Sequence, residues 1–277
     1  MKQRIVTAII LAAVLIPLVI FGHHFHLFAI ASGILAAIAA YEFRKMLQKK
    51  HPLPLTVDLL AILLTVGFYI VGYLALTDII PLRMLGLYLL FTSLFVMTLF
   101  IFIPELSTPD CGNLLLTMLY CGLGFLGLAF CHYQSRMLLI TVLLIAILTD
   151  TSAYFFGIRF GRHRLAVKIS PKKSVEGAVA GLVIGGGAGG LFAILLAVFP
   201  FPDYVTLLLS FGLSFLAQVG DLVASKFKRN HDIKDFSNLL PGHGGILDRF
   251  DSWMFIAANL MVIGLFIESI FPLVQVF

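Results

Sequence analysis

Hydrophobic residues run along this chain in nine long blocks rather than in short amphipathic stripes. A helix needs about 20 mostly apolar residues to cross the hydrocarbon core of a bilayer. The blocks at 5–22, 27–43, 57–76, 84–103, 113–132, 137–157, 177–199, 204–226 and 252–271 are read as such helices. The segments between them are too short to hold a soluble domain. The pattern predicts an all-α polytopic membrane protein with nine transmembrane helices, a single integral membrane domain over 1–277. Its helices in 1–136 read as a scaffold, and 137–277 holds the helices and loops in which the polar motifs lie. The first block follows Lys2 and Arg4, as a signal peptide would. No small-residue cleavage site comes after it and the next block begins almost at once, so it is read as retained.

The basic residues test the count of spans. Cytoplasmic loops of membrane proteins carry an excess of Lys and Arg. With a cytoplasmic N-terminus, nine spans place Lys2 and Arg4, the group Arg44, Lys45, Lys49 and Lys50, and six residues from Arg159 to Lys173 on the inner side. Lys226, Lys228, Arg229, Lys234 and Arg249 join them there. Together these are 17 of the 19 basic residues, Arg83 and Arg136 being the exceptions. The net charge of +5 then needs no nucleic acid to explain it. Composition agrees: 60% of residues are hydrophobic and 12% charged, against about 25% charged in soluble domains. A cytosolic enzyme, a disordered chain and a secreted disulfide scaffold are excluded.

Several features read as structural. Cys111, Cys121 and Cys131 are widely spaced and read as inert thiols. His23, His24 and His26 read as interfacial. Glu42, Asp58 and Glu268 lie near predicted span ends, where an interfacial charge costs little. Gly177, Gly181, Gly185 and Gly189 recur every four residues and give one helix face without side chains, suited to close helix packing inside the subunit or between subunits. The glycine run 185–190 lacks the Lys-Ser/Thr of a P-loop.

Two segments carry more than membrane structure requires. One begins at Asp150, inside the sixth span, where an ionised carboxylate costs about 3 kcal/mol or more and must be compensated. It continues through Arg162-His163-Arg164 to Ser170-Pro171-Lys172-Lys173, which reads as a phosphate-facing turn. In the other, Asp221, Ser225 and Lys228 are spaced to share one helix face. Arg229, Lys234 and the Gly-rich stretch His243-Gly244-Gly245-Ile246-Leu247-Asp248-Arg249-Phe250-Asp251 follow. Carboxylates suit Mg²⁺, which shares its shell with substrate phosphates, and Lys and Arg neutralise the remaining phosphate charge.

The stretch from Ser225 to Asp251 resembles the signature of the phosphatidate cytidylyltransferase (CDP-diacylglycerol synthase) family. It carries Ser225, Lys228-Arg229, Lys234-Asp235, Ser237, Pro241, His243-Gly244-Gly245 and Asp248-Arg249-Phe250-Asp251 in order and spacing. The segment from Asp150 to Gly177 is similar to the family's upstream block. Departures are Ala224, where the family often has an acidic residue, Asp232 in place of Gly, and Val167 in place of Pro. The resemblance implies transfer of CMP from CTP to phosphatidic acid, giving CDP-diacylglycerol and pyrophosphate for phospholipid biosynthesis. It also implies a bacterial cytoplasmic membrane, a site facing the cytoplasm and a homodimer. Asp221, Asp248, Asp251 and Asp150 are the expected ligands of Mg²⁺, at one cation site or two. Lys228 and Arg229 are expected on nucleotide phosphates, Lys172 and Lys173 on lipid phosphate or pyrophosphate, and Ser170, Lys234 and Arg249 among the other substrate-binding residues. Ser225 is expected on a phosphate or a metal-bound water, and His243 with Gly244 and Gly245 shapes the turn. A CTP-dependent lipid kinase and a transporter with intramembrane carboxylates are the alternative readings.

Overall fold

The computed structural model describes residues 2–22 and 26–270, and is built almost wholly of helices. In chain order these are α1 (Lys2–Phe21), α2 (Leu27–Leu47), α3 (Leu55–Leu76), α4 (Arg83–Phe102), α5 (Thr108–Gln134), α6 (Arg136–Phe160), α7 (Val175–Leu195), α8 (Asp203–Asn230) and α9 (Leu247–Ile270). A short hairpin, β1 (Arg164–Ala166) and β2 (Ser170–Ser174), precedes α7. Among the described residues eight helices, α2 to α9, are long and apolar enough to cross a membrane, and the first predicted block is helical as α1. The protein is therefore an all-α polytopic membrane protein. Lipid-facing character is plainest on α4, where Leu87, Leu90, Phe91, Leu94, Met97 and Ile101 are all exposed. His23 and His24 lie outside the described residues, while His26 Nδ1 stands 2.7 Å from the Tyr73 hydroxyl.

The chain divides into two units. The first holds the residues up to Phe130 together with His231–Arg249. Its helices meet through a hydrophobic cluster of Leu53, Val57, Ala61, Val96, Leu106 and Leu114. Polar groups inside it find backbone partners: Ser32 Oγ donates to the Phe125 carbonyl at 2.8 Å and the Tyr69 hydroxyl to that of Ala29 at 2.7 Å. Helix α5 contains a π-helical turn at Met118–Leu123. The interfacial reading of Glu42 and Asp58 is corrected here. Glu42 is 1% exposed, and Asp58 binds the buried Arg44 Nε at 2.8 Å and Gln48 Nε2 at 2.6 Å. A charge at the predicted end of a span is buried because α2 and α3 continue past those ends as packed helices.

The second unit holds Cys131–Asn230 and the chain from Phe250 onward. Here the glycine face is an internal contact, made by α7 against α6. A Cβ added at Gly177 would lie 2.5 Å from the Ala153 carbonyl oxygen, and one at Gly181 2.9 Å from that of Thr149. Gly185 and Gly189 press in the same way on Thr149 and Ile145. A second face, Gly186 and Gly190, meets Phe211 and Leu207 of α8. The Thr149 and Ser214 hydroxyls are 2.7 Å apart, and Ser214 Oγ also donates to the Gly181 carbonyl at 3.2 Å. Three helices are thereby brought together with their backbones nearly touching.

The segment 170–173, expected as a turn, is instead part of strand β2, which pairs antiparallel with β1. Side chains alternate along a strand, so Lys172 is exposed and Lys173 half-buried. Ser174 then caps α7, its Oγ accepting from Gly177 N at 3.1 Å. Glu176 accepts from the backbone N–H groups of Arg162 and His163 at 3.0 and 3.2 Å, fixing the start of the hairpin.

The glycine face yields a paired test. Gly185→Ala is expected to cost about 1–3 kcal/mol through overpacking. Gly187→Ala, whose Cβ would meet nothing within 4 Å, is expected to change stability by less than about 0.5 kcal/mol. Thermal unfolding in detergent micelles compares them, and equal shifts would remove the packing role.

Candidate active site

Charged groups gather in two neighbourhoods, one in each unit. In the second unit, α6, α8, α9 and β2 contribute to one cluster. Asp150 lies well inside the 25-residue helix α6 and is nevertheless exposed. A carboxylate at membrane depth is favoured facing water or a partner rather than lipid. Ser252 Oγ donates to Asp150 Oδ2 at 3.5 Å, and Ser252 N donates to Asp251 Oδ1 at 2.8 Å.

Asp221 sits nine residues before the end of α8 and forms an ion pair with Lys173 of β2. Ser225, one turn on, donates to Asp221 Oδ1 at 3.3 Å. The expected common face of Asp221, Ser225 and Lys228 is thus present on an unbroken helix. Asp221 acts electrostatically on both Asp150 and Asp251, while Lys173 offsets Asp150 and Lys228 offsets Asp251. Lys228 is 8% exposed, so its ammonium stays close to these partners. Three carboxyl groups thus face two ammonium groups in this cluster.

In the first unit, the loop of residues 231–246 leads into α9. Gly242 and Gly244 have φ of 76° and 82°, a left-handed backbone that favours glycine. Leu240 and Gly244 form a bridge that closes the turn around them. Asp248 Oδ2 accepts from Phe236 N at 2.8 Å and Gly245 N at 2.9 Å. Arg249 Nε donates to the His243 carbonyl at 2.7 Å. Glu42, from α2, accepts from Ser237 Oγ at 2.6 Å, Ile246 N at 3.0 Å and Leu247 N at 2.9 Å. No local sequence signal marks Glu42, because its partners lie about two hundred residues away and two of them are backbone groups.

Asp150, Lys173, Asp221, Ser225, Lys228 and Asp251 therefore belong to one neighbourhood, and His243, Gly244, Gly245, Asp248 and Arg249 to the other. Lys172 and Lys234 point to solvent, Ser170 opens β2, and Arg229 Nε donates to the Ile169 carbonyl at 3.3 Å. Two departures from the resembled pattern gain an explanation. Ala224 is fully buried and can hold no ligand, and Asp232 has φ of 53°, a conformation that Gly adopts freely and Asp tolerates. Val167 is exposed between the two strands.

Helices that span a membrane and bring carboxyl and ammonium groups together define a membrane-embedded enzyme acting on charged substrates. The chain belongs to the cytidylyltransferase family, whose sequence profile matches residues 2–267. It is 34% identical over 268 residues to the phosphatidate cytidylyltransferase of Bacillus subtilis (strain 168), covering 92% of this chain and 94% of that protein. The phosphatidate cytidylyltransferase of Staphylococcus aureus (strain COL) is 33% identical over 279 residues, covering 95% and 98%. That of Staphylococcus saprophyticus is 39% identical over 162 residues, covering 57% and 60%.

The two neighbouring lysines of β2 distinguish pairing from mere positive charge. Lys173→Met leaves Asp221 without its ion-pair partner and is expected to lower turnover about tenfold or more relative to Lys172→Met. Initial rates of cytidylyl transfer in micelles measure this, and equal losses would show that only the net charge of the strand matters.

Proposed function

We propose that this protein transfers CMP from CTP to phosphatidic acid, releasing pyrophosphate and leaving CDP-diacylglycerol in the bilayer. The observation that carries this reading is the cluster of Asp150, Asp221, Asp251 and Lys228, set in helices that cross the membrane, with Lys173 of β2. The named activity of relatives that align over nearly the whole chain supports it.

The chemistry follows from the charges. The phosphate of phosphatidic acid has a second pKa of about 6, so at neutral pH it is already largely dianionic. One of its oxygens attacks the α-phosphorus of CTP, a new P–O bond forms, and the bond to the β-phosphate oxygen breaks as pyrophosphate departs. No strong general base is required. The obstacle is repulsion between two polyanions, and positioned cations lower it.

The donor set fits magnesium. All three acids offer oxygen, and Mg²⁺ is usually held by one or two carboxylates with water and substrate phosphates completing the shell. No group of three or more acidic, His or Cys side chains among the described residues converges on one point, which that mode of binding does not require. Asp221, with either Asp150 or Asp251, would hold the ion, and it would supply positive charge to the triphosphate. Lys173 and Lys228 set positive charge beside these carboxyl groups in a medium that disfavours bare charge. Ser225 orients Asp221. The turn of His243, Gly244 and Gly245, with Arg249, is assigned to phosphate, while Asp248, expected as a ligand of the metal, accepts at Oδ2 from Phe236 N and Gly245 N and keeps that loop closed. The basic loops argue for a cytoplasmic site, in a bacterial inner membrane as the relatives' sources suggest.

Purified protein given labelled CTP, phosphatidic acid and Mg²⁺ is expected to produce labelled lipid and free pyrophosphate. Phosphorylated lipid with CDP would mark a kinase instead, and the absence of both products would favour transport. Asp221→Asn is expected to lower Mg²⁺-dependent turnover by about a thousandfold while the helical content and melting temperature stay close to the parent's. A variant with near-normal rates would overturn the metal assignment.

A further inference from the structure

The start of α9 poses a problem that its own sequence does not solve. The first N–H groups of a helix have no intrahelical acceptor, and a Ser, Thr, Asp or Asn just before the helix normally supplies one. Here the residues before α9 are Gly244, Gly245 and Ile246, none of which has a side-chain acceptor. Glu42 of α2 fills the vacancy. Its Oε1 accepts from Ile246 N and Ser237 Oγ, and its Oε2 from Leu247 N. A negative charge at a helix N-terminus is also favoured by the helix dipole. The approach is close enough to require glycine at 245, where an added Cβ would lie 2.5 Å from Oε1 and 2.6 Å from Oε2.

We propose that Glu42 is a positioning residue for nucleotide binding, acting as a remote cap that fixes the Gly-rich loop and the first turn of α9. The inference rests on the reading that this loop holds CTP phosphates. Glu42 touches no substrate itself. It clamps the loop at Ser237 and again at Ile246 and Leu247, while Asp248 ties Phe236 to Gly245 in between. The Arg249 guanidinium, bound to the His243 carbonyl, is thereby held at the end of a loop fastened by two carboxylates. Neither clamp alone fixes the loop: Asp248 moves with α9, whereas Glu42 refers the loop to a different helix. Glu42 is 1% exposed, so removing its charge exposes the backbone groups to no water that could replace it.

Glu42→Gln keeps the shape but turns one acceptor into a donor facing a backbone N–H. It is expected to lower kcat/KM for CTP about tenfold or more while KM for phosphatidic acid stays within about twofold. Ser237→Ala removes one of the three bonds and is expected to give a smaller loss of the same kind. Ser32→Ala is the control: it breaks a buried bond of the same helix to Phe125, and is expected to lower the melting temperature without altering the ratio of the two KM values. Amide hydrogen exchange at 246 and 247 is expected to accelerate in Glu42→Gln only. Unchanged kcat/KM for CTP in Glu42→Gln would overturn the proposal, as would kinetic changes shared equally with Ser32→Ala. A parent protein that makes no labelled lipid would sink the synthase reading instead, and the amide exchange would still report whether Glu42 caps α9.

Discussion

A carboxylate inside a membrane protein must be answered by donors or cations, and that requirement organises both units. Each buried or half-buried acid has a defined partner. Arg44 and Gln48 answer Asp58, the ammonium of Lys173 answers Asp221, backbone N–H groups answer Asp248 and Glu176, and Glu42 takes three donors. Leaving one such group uncompensated in an apolar interior would cost more than most single contacts in the protein contribute. The acids therefore act as fixed points to which loops and helix ends are attached.

The two units use this device differently. In the first, carboxylates grip backbone, and the result is a closed loop with left-handed glycines at its tip. In the second, carboxyl groups face ammonium groups and one another, and the result is a cluster with more acids than bases. N–H groups of the closed loop are thus taken up by Glu42 and Asp248, whereas the acids of the second unit keep oxygens that suit a cation.

Much of the fold was legible because lipid imposes a length. All nine apolar blocks coincide with helices, and the four-residue glycine period marked a contact face correctly. Boundaries were less legible where polar residues begin a helix. Helix α9 starts at Leu247 rather than 252, because Asp248 and Arg249 read as loop although they form its first turn. Helix α5 starts at Thr108 rather than 113, since Pro109 and Asp110 belong to its capped first turn. The hairpin escaped notice because its strands have no alternating apolar pattern. Of the charged residues, Asp221, Ser225 and Lys228 could be grouped from helical spacing alone. Glu42 could not, since its role depends on backbone groups brought to it by the fold.

The glycine contact between α6 and α7 has a consequence for handling the protein outside a cell. Where a glycine Cα approaches a carbonyl oxygen this closely, the attraction comes from dispersion and from weak C–H···O contacts. Neither draws on the ordering of water, and lipid tails offer no apolar advantage over the seam itself. Such a junction is nearly indifferent to whether the surrounding medium is bilayer or detergent. The helix pair that carries Asp150 at one side and is capped through Ser174 at its start is thus the part of the molecule best fitted to survive extraction intact.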